Sequence, residues 1–198
     1  MFSLYYKIDD TFEIRNKKHV VNASFDNILK VIDLLREEQI PDRAKLSIAL
    51  KMLFGKDTEL VNYPLEEQAD IFNYVFDRYV EKQEKTVKYD LLGNEMPSFE
   101  EDTKQSYSLK YDAEYIYSSF MQAYGIDLLQ ECGKLHWLKF KALLGGLPED
   151  TKFRQVISIR TWKKPSSSKD SYNEQMRELQ RIYALPDEKE GDEWQTEE

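Results

Sequence analysis

The chain has 198 residues, 41% of them hydrophobic and 13% aromatic, enough for one domain or two small ones with a buried core. The net charge of -9 is blocky: residues 1–132 sum to -9, residues 133–184 to +6 and residues 187–198 to -6, so the acidic body disfavours free nucleic acid except at one local patch. The single cysteine, Cys132, cannot form an internal disulfide and fits a reducing compartment.

No stretch approaches the ~20 apolar residues of a membrane span. The opening MFSLYYKIDD lacks the basic and apolar regions of a signal peptide. Seven glycines and six prolines argue against a turn-rich all-β fold.

Thr11–Asn22 reads as a small hairpin: Phe12 and Ile14 alternate with Glu13 and Arg15, Asn16-Lys17-Lys18 turns, and Val20-Val21 returns. Ser24 stands at an N-cap before an amphipathic helix that ends near Glu38. Phe25, Ile28, Leu29, Ile32 and Leu35 share one face of it, with Asn27, Lys30, Asp33 and Glu37 opposite. Pro41 restarts the chain, and Leu46, Ala49, Leu50 and Leu53 form a stripe, widened by Ile48 and Met52, that stops at Gly55. Pro64 opens a third helix with Leu65, Ala69, Phe72, Phe76 and Tyr79 in register.

Residues 85–111 break the pattern with Gly93-Asn94, Pro97 and scattered charges, and read as a long connection between two helical halves. Asp112 is then the expected cap of a helix whose face carries Ala113, Ile116, Tyr117, Phe120, Met121 and Tyr124, stopped by Gly125. Leu128–Leu144 reads as a central helix, apolar almost all round, bent or divided at Gly133. Asp150 or Thr151 caps the next helix, with Phe153, Val156, Ile157 and Arg160 on one face and Pro165 as its stop. A last helix sets Tyr172, Met176, Leu179 and Tyr183 in register, and after Pro186 the acidic composition predicts disorder.

The expected fold is therefore mainly α. It is a bundle-like protein with a small N-terminal β-hairpin, two helical halves joined by a long loop, and a disordered acidic C-terminus. The expected boundaries are 1–84, 85–111, 112–186 and 187–198.

Candidate chemistry is sparse. Cys132 and His136 are four apart and would share one face of an unbroken helix, but a structural zinc site wants four ligands, and the only other histidine is His19. His136 could act as a base oriented by Asp112 or Glu114, yet nothing places a nucleophile beside it, and there is no Gly-x-Ser-x-Gly or glycine-rich phosphate loop. The reading is of no enzyme, no metal and no cofactor. Tyr115, His136, Trp137, Arg160 and Trp162 are the candidates for partner contact, because aromatics and arginine suit interfaces; core packing or a solvated rim is the competing reading for each.

The stretch Tyr111–Pro186 reads YDAEYIYSSFMQAYGIDL, then LHWLKFKALLGGLPEDTKF, VISIRTW and RIYALP. These segments, with FEIRNKKHVVNASF and an LFG helix end earlier in the chain, resemble the "gene product fifteen" family of tail-module proteins from phages and prophages of Gram-positive bacteria. Where that family commonly has a second aromatic after its His-Trp pair, this chain has Leu138, and the acidic tail lies outside the resemblance. Family members are encoded beside the tape-measure protein and a smaller tail-assembly partner. The resemblance thus implies a tail-assembly chaperone in the cytoplasm of the bacterial host, with the tape-measure protein as partner and the smaller chaperone as a second candidate. A minor structural tail component and a homo-oligomer stay open as alternatives. It brings no catalytic residues with it.

Overall fold

The structure, a computed structural model, describes residues 4–81, 106–164 and 170–186. Residues 85–105 of the expected connection, the Ser166-Ser167-Ser168 stretch and the acidic tail lie outside the described residues. Among those described, seven α-helices and one two-stranded hairpin make up the regular structure, so the mainly α expectation holds. No helix among them is long and apolar enough to cross a membrane. Contacts divide the chain into two units, the first holding described residues 4–81 and 129–142, the second holding 106–128, 143–164 and 170–186. The contiguous stretch 112–186 expected from sequence is thus interleaved, because 129–142 groups with the N-terminal elements.

The first unit begins with β1 (Thr11–Ile14) and β2 (Lys17–Val20), antiparallel, with Ile14 opposite Lys17. The turn is Arg15-Asn16, not Asn16-Lys17-Lys18. Both central residues have positive φ, 49° and 61°, which a tight two-residue hairpin turn demands. Phe12, 3% exposed, meets Tyr74 edge to face at 5.4 Å. Arg15 pairs with Glu67 and lies 4.1 Å over the Tyr63 ring, and Lys17 pairs with Glu59 at 2.8 Å.

Helix α1 (Phe25–Arg36) buries Phe25, Asn27, Ile28 and Val31. Asn27, expected on the wet side, is buried because its amide donates to the carbonyls of Asn22 (2.8 Å) and Met52 (2.9 Å). Those bonds offset the cost of burying its amide, and the buried face runs through Ile28 and Val31 while Ile32 and Leu35 are half-buried. Helix α2 (Asp42–Phe54) buries Ala49, Leu50 and Leu53, as its stripe predicts, and ends at Gly55 with φ 98°. Helix α3 (Leu65–Phe76) buries Gln68, Ile71, Phe72 and Val75. Gln68 donates to the carbonyls of Val61 and Tyr63 and so ties the short 3-10 segment Glu59–Asn62 to the helix. A π-turn, Asp77–Glu81, follows and carries the buried Tyr79.

The expected helix over Leu128–Leu144 is the main correction. Residues 128–135 run through turns, with Gly133 at φ 74°, and helix α5 spans only Trp137–Gly145. The cause is long-range pairing. Phe25 N–H donates to Leu135 O (2.9 Å), Trp137 N–H to Ala23 O (2.8 Å), and Gly133 N–H to the Asp26 carboxylate (2.8 Å). Ser24 and His136 form an antiparallel bridge, and these bonds hold residues 128–136 out of the helix expected over Leu128–Leu144, bent or divided at Gly133. Cys132 is exposed on this turn and shares no helix face with His136.

In the second unit, α4 (Ala113–Tyr124) buries Ile116, Ser119 and Phe120. Its face is rotated from the expected one, leaving Met121 43% exposed. Gly125 at φ 64° closes it, its N–H donating to Met121 O while Ile126 N–H reaches Phe120 O. Helix α6 (Lys152–Arg160) buries Phe153 and Val156. The buried Ser119 hydroxyl accepts the Phe153 N–H at 3.0 Å, so α4 supplies a partner to the opening turn of α6. Helix α7 (Asp170–Ile182) follows and packs against α6.

Candidate interaction site

Three of the five predicted contact residues lie together in the second unit. Arg160, at the C-terminal end of α6, makes a bidentate pair with Asp112 at 2.6 and 2.7 Å. The Arg160 side chain is 8% exposed and that of Asp112 1%. Its Nε also donates to the Tyr183 carbonyl (2.6 Å), and its Nη1 to that of Ser106 (3.3 Å). Asp112 in turn accepts the Ser108 N–H at 2.9 Å. Asp112 does precede α4 but makes no capping bond to that helix. Its carboxylate is committed to the guanidinium instead, because a planar fork matches it with two parallel bonds.

Around this pair stands an aromatic rim. Tyr115, half-buried, meets Tyr183 edge to face at 6.1 Å, and Lys152 Nζ donates to the Tyr183 hydroxyl (2.6 Å), 4.5 Å from that ring's centre. Trp162, also half-buried, meets Tyr172 at 6.1 Å. The Gln180 amide donates to the carbonyls of Arg160 (3.2 Å) and Trp162 (2.9 Å), two acceptors at the exposed end of α6. Tyr115, Arg160 and Trp162 thus all meet α7 or the residue just beyond it.

The other two candidates lie in the first unit. Trp137 is 3% exposed, so its ring is interior and offers no surface: the indole donates to Tyr79 O (3.0 Å) and stacks on Phe140 at 5.6 Å. Aromatic type alone had marked it as a contact; the apolar company of Phe140 was the better signal. His136 immediately precedes α5, and its Nδ1 accepts the Leu138 N–H at 3.0 Å, the capping role that a Ser or Asp side chain usually fills. That bond assigns the ring proton to Nε2, which donates to Asp10 at 3.0 Å. The same Asp10 oxygen accepts the Tyr79 hydroxyl at 2.5 Å. Burial, with the Asp10 bond and charge behind it, pushes the Tyr79 phenol far above its usual range. Lys141 Nζ donates to Tyr79 O (2.7 Å), and burial lowers the pKa of that amine.

Sequence reasoning missed Asp10, Tyr79 and Asp112 as polar anchors. Each pairs with a residue at least 48 positions away, so no local spacing signals it. In both clusters the strong donors and acceptors are engaged with one another and with backbone carbonyls. Among the described residues no group of three or more His, Cys, Asp or Glu side chains is arranged to hold a metal.

No curated protein and no solved structure matches the chain. The family profile of the Bacteriophage Gp15 protein matches residues 6–185, which covers most of both units and every residue of the two polar clusters. A match over that span makes the chain a member of the Bacteriophage Gp15 protein family.

Proposed function

We propose that this phage protein is a non-enzymatic tail-assembly chaperone that covers the tape-measure protein before the tail tube closes around it. The observation that carries the reading is the family match over residues 6–185, joined to the implied placement of such proteins beside the tape-measure protein. The physical need is plain: a very long helical chain with exposed apolar stripes aggregates unless something covers it. A helical protein with an aromatic-rimmed helix face suits that task, because an amphipathic helix laid into a groove is a common mode of peptide recognition. The polar clusters support a binding role over a catalytic one, since Arg160, Asp112, His136 and Asp10 are engaged in holding elements in place.

The reading is tested by affinity purification from prophage-induced cells and by mass spectrometry of finished particles. Co-purification with tape-measure fragments and absence from virions are expected. Stoichiometric presence in purified virions would replace the chaperone with a minor structural component of the tail.

A further inference from the structure

Helix α7 is held differently from the other long helices. Of its side chains from Ser171 to Ile182, Asn173 alone is fully buried; Met176 and Leu179 are half-buried, and Tyr172 and Ile182 are 48% and 58% exposed. By contrast α2, also thirteen residues long, buries Ala49, Leu50 and Leu53 at 0–1% exposure. Besides the buried Asn173 and the buried Leu185 just beyond the helix, polar and edge contacts hold α7. Gln180 reaches the carbonyls of Arg160, the last residue of α6, and of Trp162 beyond it, Tyr172 meets Trp162, Tyr183 meets Tyr115, and two cations bond Tyr183, just past the helix. Those cations are Arg160, donating to Tyr183 O, and Lys152, donating to the Tyr183 hydroxyl. Positive charge at a helix C-terminus complements the negative end of its dipole. The surface beneath α7 is therefore built to hold the C-terminal end of an amphipathic helix, with an aromatic contact at each end of the stretch from Tyr172 to Tyr183.

We infer that α7 is a displaceable strap: it occupies, within its own chain, the helix-binding face formed by Tyr115, Lys152, Arg160 and Trp162, and an amphipathic helix of a partner chain takes its place. The Arg160–Asp112 pair does not involve α7, so the face keeps its shape when α7 leaves. The partner helix carries an aromatic at the Tyr183 position and an amide-bearing or similar donor one turn earlier, where Gln180 stands. The identity of the partner rests on the chaperone reading, whereas the displacement itself does not.

The test uses the full-length protein, a Tyr172→Ala/Gln180→Ala variant, and a fluorescein-labelled peptide of residues 170–186 as the probe. Hydrogen exchange should show α7 amides opening faster than those of α4 and α6 in the wild type, and faster still in the variant, with α4 and α6 unchanged. The variant should bind the peptide about tenfold more tightly than the wild type, because apparent affinity scales with the fraction of molecules whose site is vacant. Equal peptide affinity for both proteins overturns the inference. So does loss of protection in α4 and α6 together with α7, which would make α7 an integral part of the unit. A tape-measure fragment captured equally by both proteins, with no difference in peptide binding, would sink the strap and leave the chaperone. Peptide binding as expected, with no tape-measure capture by either protein, would keep the strap and sink the chaperone.

Discussion

Replacing Arg160 with methionine is the sharpest test of how the second unit is held. The substitution keeps the apolar stem and removes every donor of the guanidinium, leaving the Asp112 carboxylate, 1% exposed, without its charge partner and with the neutral Ser108 N–H still donating to it. Breaking a buried pair from one side costs roughly 3–5 kcal/mol, because a charge is left in the interior without compensation. The vacated acceptors, Tyr183 O and Ser106 O, are backbone groups near the surface and add less. For a chain of this size each kcal/mol lowers Tm by about 2–4 °C, so the expected fall is roughly 6–20 °C. Urea and thermal unfolding of Arg160→Met, Asp112→Asn and the double variant form a cycle that isolates the pair. The double variant should lose less than the sum of the singles by about 1.5–3 kcal/mol, since removing both partners leaves no stranded charge. Additive losses, or a loss below about 1 kcal/mol for Arg160→Met, would refute the idea that this pair anchors the unit.

Core burial sets a second prediction: Phe120→Ala, at 0% exposure, should cost about 3–5 kcal/mol, and Phe76→Ala, half-buried, clearly less, both by urea unfolding. Asp26 gives a pH dependence. Burial raises its carboxyl pKa, but the Gly133 amide and the Lys30 ammonium more than offset this, so the folded value lies below 3.8. Its stabilisation is therefore complete above the unfolded value and fades as pH falls through the folded one. Hydrogen exchange at Gly133 should accelerate in that acid window, and at neutral pH in Asp26→Ala. Tyr79 works in the opposite direction. With its folded pKa far above the unfolded value of 10.0, the term it contributes is present below pH 10.0 and is lost as pH rises beyond it. Tyr79→Phe should flatten alkaline unfolding above that pH, and should cost about 1–2 kcal/mol at neutrality through the lost bond to Asp10.

Which parts of this fold could be read from sequence follows from how far apart the interacting groups lie. The stripe Ala49, Leu50, Leu53 and the stops at Gly55 and Gly125 are local: side chains three and four apart share a helix face, and glycine adopts positive φ without a Cβ clash. Both were legible. Polarity misplaces Asn27 and says nothing of Gln68, because it is a fair guide to exposure only until backbone carbonyls 5, 7 or 25 positions away accept the amide. Residues 128–135 failed for a stronger version of the same reason. Their apolar content fits a helix, but the Phe25 amide on Leu135 O, the Asp26 carboxylate on the Gly133 N–H and the Ala23 carbonyl on the following Trp137 N–H, all more than a hundred positions earlier, hold them in a run of turns. Trp137 lies in the core, whereas Tyr115, Trp162 and the buried, Asp112-paired Arg160 converge on α7 and the residue just beyond it. Their convergence has a physical cause: a helix end presents unpaired carbonyls, and just past α7 the Arg160 guanidinium satisfies one of them, Tyr183 O.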